Sequence, residues 1–154
     1  MIRVWCKGVA VTLLAAAFAT VAAGAGLAQT ASAEAELQYR TLWFQCVSSM
    51  QVLALRPGLN ARHPTADSVA GLLAATDSLE TAVSGLMRSL PPADSTTAHV
   101  TMLPRLQEIV AAARDAIDAI QRKDAAAEEA SLQWLDDALR DANATFVNAI
   151  EGRI

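Results

Sequence analysis

The side chains able to do chemistry in this 154-residue chain are few and scattered, with histidine only at His63 and His99 and cysteine only at Cys6 and Cys46. A metal site needs several converging ligands. His99 has only Met102 at helical spacing, a soft pair with no thiolate or carboxylate cluster beside it. The Glu-x-x-His pairs that build di-iron bundles are absent. Both histidines read as loop residues at opposite ends of a helical assembly, where they cannot share an ion. Cys46 lies among Trp43, Phe44, Val47 and Met50 with Arg40 the only cation nearby, so it reads as a small buried hydrophobe rather than a reactive thiol. There is no CxxC, no nucleophile-elbow serine and no glycine-rich phosphate loop. The sequence therefore assigns no catalytic residue, no metal ligand and no cofactor.

The elements that would position these residues are helical. Val69, Leu72, Thr76, Leu79, Val83, Leu86 and Leu90 recur in steps of three and four, widened by Leu73 and Met87. Thr65 is the expected N-cap of this helix, Asp67 lies in its first turn, and Pro91-Pro92 forbids continuation. A second such stripe runs through Leu103, Leu106, Val110, Ala113, Ile117 and Ile120, with Ile109 beside it and Pro104 expected in the first turn. The last runs through Leu132, Leu135, Leu139, Ala142, Phe146 and Ala149, behind Asp124 as N-cap. So short a link between the last two helices makes them an antiparallel hairpin.

The earliest helix, roughly residues 34–55 by periodicity, is less tidy. Tyr39, Trp43, Cys46, Met50 and Leu53 form one stripe, while Leu37, Phe44 and Leu55 point elsewhere. Either this is the central helix, the reading preferred because most apolar residues of a small domain are core, or one side meets a partner or a membrane. With no strand-like alternation, the expected fold is all-α: an up-down-up-down four-helix bundle over residues 34–154.

That topology gathers Arg56, Arg62, His63, Arg122 and Lys123 at one end, a candidate docking surface for an anionic ligand or an acidic partner. Cations at helix C-termini also complement the macrodipole without any partner. The acids at Asp115, Asp118, Glu128, Glu129, Asp136, Asp137 and Asp141, interspersed with arginines, read as solvated faces, with Asp136 and Arg140 at ion-pair spacing.

Residues 1–33 differ in kind. Arg3 and Lys7 precede a charge-free run ending in Ala31-Ser32-Ala33, the pattern of an export signal cut before Glu34; Gly26-Leu27-Ala28 offers a second cut. The rival reading keeps residues 9–28 as a weakly hydrophobic transmembrane anchor, about the ~20 residues a bilayer needs. Either way the positive start orients the domain outward, into the periplasm or beyond, and anchored to the inner membrane if the segment is retained. Arg3 and Lys7 are two of the twelve cations, so residues 34–154 carry ten against sixteen acids, a net charge of −6. An acidic domain argues against nucleic acid as a partner.

From Pro91-Pro92 to Ile150, the proline-bearing loop, Leu106-x-x-Ile109, Ala116-Ile117, the helix starting at Asp124 and Leu135 to Phe146 resemble small periplasmic b-type cytochromes and their haem-less relatives. The resemblance implies a four-helix bundle. In those cytochromes a methionine early in the first helix and a histidine late in the last hold the haem iron. Here residues 143–150 contain no histidine, and the nearest first-helix methionine is Met50, well along it.

The expectation is a non-catalytic exported bundle acting by protein–protein interaction, an accessory subunit of a membrane complex if tethered. The alternative is a periplasmic carrier holding haem, metal or a small ligand between helices. An exported all-helical enzyme of the secreted chorismate mutase kind would need converging inward arginines, and only Arg40 and Arg114 are placed to contribute.

Overall fold

A computed structural model of the chain describes residues 27–55 and 65–150, with side chains described over 32–55 and 65–148. The bundle unit is Ala33–Ile154. Among the described residues there are four α-helices and no strand: α1 Leu27–Leu55, α2 Ala66–Arg88, α3 Thr96–Arg122 and α4 Ala125–Ile150, with one 3-10 turn, Ala93–Ser95, leading into α3. Side-chain contacts fix their directions. Leu42 faces Gly85 while Gln45 and Ser49 meet Ser78, so α1 and α2 run antiparallel. Gln107 reaches Met87 and Arg114 reaches Asp77, so α2 and α3 do likewise.

Helix ends follow local chemistry. Thr65 has extended backbone geometry and its hydroxyl accepts the Ser68 amide at 3.2 Å, while the Asp124 carboxylate accepts the Ala127 amide at 3.1 Å. Between α3 and α4 the chain reverses through Lys123, at φ 55° the one non-glycine residue with positive φ among those described. The Lys123 amide donates to the Ile120 carbonyl and the Asp124 amide to that of Ala119, both at 3.0 Å, a Schellman closure. Two consecutive amides are thus satisfied within the tight turn, which offsets the strain of a side chain in the left-handed region.

The core holds Tyr39, Trp43, Cys46 and Leu53 from α1, Leu72, Leu79, Val83 and Leu86 from α2, Met102, Leu106, Ile109 and Ile117 from α3, and Leu135, Leu139 and Ala142 from α4. α3 and α4 come closest, then α2 and α3. The reason lies in side-chain size. α3 buries Ala112, Ala113, Ala116 and Ala119, and α4 buries Ala138 and Ala142, so their axes can approach. α1 instead inserts Tyr39 and Trp43 and is held by those large side chains.

Four expectations need correction. The first helix begins at Leu27 rather than 34, because nothing after Gly26 breaks an alanine-rich, proline-free run. α3 begins at Thr96, so Pro104 stands in its interior and His99 in its first turn rather than in a loop. Pro104 is exposed, and the Val100 carbonyl that loses its donor sits on the exposed side as well, where water can bond it. Leu90 and Met87, counted in the α2 stripe, are 92% and 57% exposed, since Leu90 lies past the helix end and Met87 on its outer side.

The fourth concerns α1, which is not an enclosed central helix. Its inner stripe is buried as expected, but Leu37, Phe44, Val52 and Leu55 are exposed at 65%, 67%, 45% and 74%. At 100° per residue Leu37, Phe44 and Leu55 fall within about 20° of one line, opposite Cys46.

Candidate functional site

Of the five residues expected to form a docking end, Arg122 and Lys123 are exposed at the α3–α4 turn. Arg56, Arg62 and His63 lie outside the described residues. Arg122 ends α3, where its charge complements the carbonyl dipoles. It also borders an open cleft with Asp115, Asp118, Ser131 and Trp134.

His99 has company that the sequence did not reveal. Its Nδ1 lies 3.2 Å from the Tyr39 hydroxyl, the two rings are 5.8 Å apart, and Trp43 packs edge-on to Tyr39 at 6.2 Å. Met102, one turn on, is fully buried. Burial pushes the His99 imidazole below its ordinary pKa, and burial with the nearby Asp94 charge pushes the Tyr39 phenol above its own. The Tyr39 hydroxyl and neutral His99 Nδ1 share a hydrogen bond whose direction follows the imidazole tautomer, a contact pinning α1 to α3. The signal was available: His99, Met102, Leu106 and Ile109 are spaced three, four and three apart, so His99 is in phase with the core once Pro104 is not read as a helix start.

The other chemistry-bearing groups are turned to structural use. Cys46 is fully buried and its thiol is pushed up to about 12 by desolvation, so it carries almost no thiolate near neutrality. Arg114 bridges Asp77 at 2.6 Å and Glu80 at 2.5 Å on the outside of α2 and α3, and these carboxylates hold its charged form still more firmly. Arg40 engages Glu36 one turn away. Arg140 pairs with Asp137 at 2.7 Å, one position from the partner its spacing suggested. No group of three or more His, Cys, Asp or Glu able to hold a metal ion occurs among the described residues. The donor set does not fit haem: Met50 is packed against the core, and the end of α4 supplies no histidine.

What remains is the outward side of α1. From Thr41 to Leu55 there is no charged residue, although the molecule as a whole is acidic. Arg40 and Glu36 mark its one charged end, already paired. Such a surface excludes water poorly by itself and is stabilised by being covered. Sequence reasoning saw that Leu37, Phe44 and Leu55 left the main stripe and preferred an interior place for them over a side that meets a partner or a membrane. Only the packing of the other helices decided otherwise.

Compared with protein-family models, curated proteins and solved structures, the chain matches none. Among the described residues no helix is long and apolar enough to cross a membrane.

Proposed function

We propose that this is an exported, non-catalytic helical bundle that acts by protein–protein contact, with the outward face of α1 as its principal contact surface. The observation carrying this reading is the exposure of Phe44, Val52 and Leu55 within a stretch without charge, with Leu37 exposed just before it. Leu37, Phe44 and Leu55 share one line on the helix with Val52 beside it, an apolar strip unusual on a free acidic surface, and apolar burial is the main driving force for association. The place of action rests on residues 1–33, read as an export signal or an uncleaved anchor. If they are retained, the bundle is an accessory subunit tethered to the inner membrane. The exposed Arg122 and Lys123 then offer a second, polar docking point.

Gentle solubilisation of native membranes, followed by purification of wild-type and Phe44→Glu protein, tests the contact surface. The wild type retains a stoichiometric protein partner, a second copy included, and the variant loses it with its helical circular dichroism unchanged. Recovery of both as partnerless monomers counts against the proposal. Arg122→Ser with Lys123→Ser asks the same of the basic end, and intact mass reports whether residues 1–33 remain.

A further inference from the structure

We infer that the occupant of the α1 face is a second copy of this chain, packed antiparallel; the inference rests on the contact reading above and names its partner. Leu37, Thr41, Phe44, Ser48, Gln51 and Leu55 follow one another in steps of four, three, four, three and four. This is the seam of a coiled coil, about 27 Å long at 1.5 Å per residue. Its order is self-complementary. Turned end for end about the level of Cys46, Leu37 meets Leu55 of the second copy, Thr41 meets Gln51, and the large Phe44 meets the small Ser48. The outer layers pair leucine with leucine, the next pair polar with polar, and in the middle the one aromatic knob falls on the one small serine. A parallel pair would stack Phe44 on Phe44 and leave Ser48 against Ser48, with excess volume in one layer and a void in the next.

Charge selects the same arrangement. Elsewhere two acidic molecules meet carboxylate to carboxylate, as on the outer sides of α3 and α4 with Asp115, Asp118, Glu129 and Asp141. On the α1 face nothing repels. In the antiparallel register the flanking Arg40 faces Ala54 of the second copy, Gln38 faces Val52, and Val47 faces Val47 across the two-fold axis. No like charges are opposed. Six layers on one helix fall short of a standard interface of about 800 Å² per partner, so a weak, concentration-dependent association is expected.

Sedimentation equilibrium of the exported protein from about 1 to 200 µM reads the association directly. The expected result is a monomer–dimer equilibrium, weakened at least tenfold by Phe44→Glu with the far-ultraviolet spectrum unchanged; a monomer throughout, or a dimer indifferent to Phe44→Glu, overturns the inference. Leu37→Cys and Leu55→Cys proteins, in a Cys6→Ser background where the remaining Cys46 is buried, give the orientation. Mixing them yields a disulfide between the two variants, while Leu37→Cys alone does not cross-link; self-linking of Leu37→Cys means a parallel pair and overturns it too. A monomer that holds a different protein through Phe44 removes the second copy and leaves the contact function standing. A monomer with no Phe44-dependent partner removes both.

Discussion

His99 is held between solvent and core by a phenol and two turns of α3. Because burial lowers its pKa, the unfolded chain takes up a proton before the folded one does. The stability this group contributes is complete above its unfolded pKa of about 6.5 and is lost as pH falls through that value toward the folded one. Protonated His99 carries a hydrogen on both ring nitrogens, so Nδ1 can then only donate toward Tyr39. The His99 imidazole is expected to titrate below 6.5 by NMR, and the urea midpoint to fall between pH 7.5 and 5.5 by more in the wild type than in His99→Gln. His63 and the carboxylates are common to both proteins, so equal falls would assign His99 no part in the pH dependence. The residue types of this cluster are plain in the sequence, but their meeting is not. Tyr39 and His99 are 60 positions apart, and nothing local to either announces the other.

At the scale of elements, α2 carries two glycines that periodicity treats alike and packing separates. A Cβ at Gly71 would meet nothing within 4 Å, whereas one at Gly85 would stand 2.7 Å from Cδ2 of Leu42. Gly71→Ala is expected to raise stability by about 0.5–1 kcal/mol through helix propensity alone. Gly85→Ala gains the same propensity but must displace Leu42 and with it α1, so its net effect is smaller or negative. Urea denaturation of both variants tests the pair, and an equal gain at both sites would mean that α1 does not rest on Gly85. Caps were legible here because they depend on three or four consecutive residues: Thr65 and Asp124 act as their types require. The start of α3 was not. Pro104 is a poor interior residue, and reading it as a first-turn residue hid two turns of helix, among them the one bearing His99.

For the whole molecule, Cys46 reports how firmly α1 is seated. The thiol has no exposure and a pKa pushed up to about 12, so only opening of the bundle on the α1 side brings it to reagent. In a Cys6→Ser background, a disulfide reagent at pH 8 is expected to label native protein far more slowly than unfolded protein. The rate should rise in urea well below the global midpoint, since α1 is joined by large side chains rather than by close backbone approach. Labelling at the unfolded rate without denaturant would contradict the burial. If the antiparallel pair forms, raising protein concentration slows labelling as well, because α1 is then held from both sides.

Helix content, two helix starts, the α3–α4 hairpin and the burial of Cys46 follow from the sequence by itself, because each depends on short-range spacing, cap chemistry or a strongly apolar neighbourhood. So does the absence of charge from Thr41 to Leu55, which constrains what can cover that stretch. The inner stripe of α1 was legible from spacing, but whether the apolar residues off that stripe are covered was decided only by tertiary structure. Periodicity marks them as off the stripe without saying what, if anything, packs on them. The alanines of α3 and α4 draw those helices together, Tyr39 and Trp43 fill the space that is left, and Leu37, Phe44 and Leu55 are turned outward.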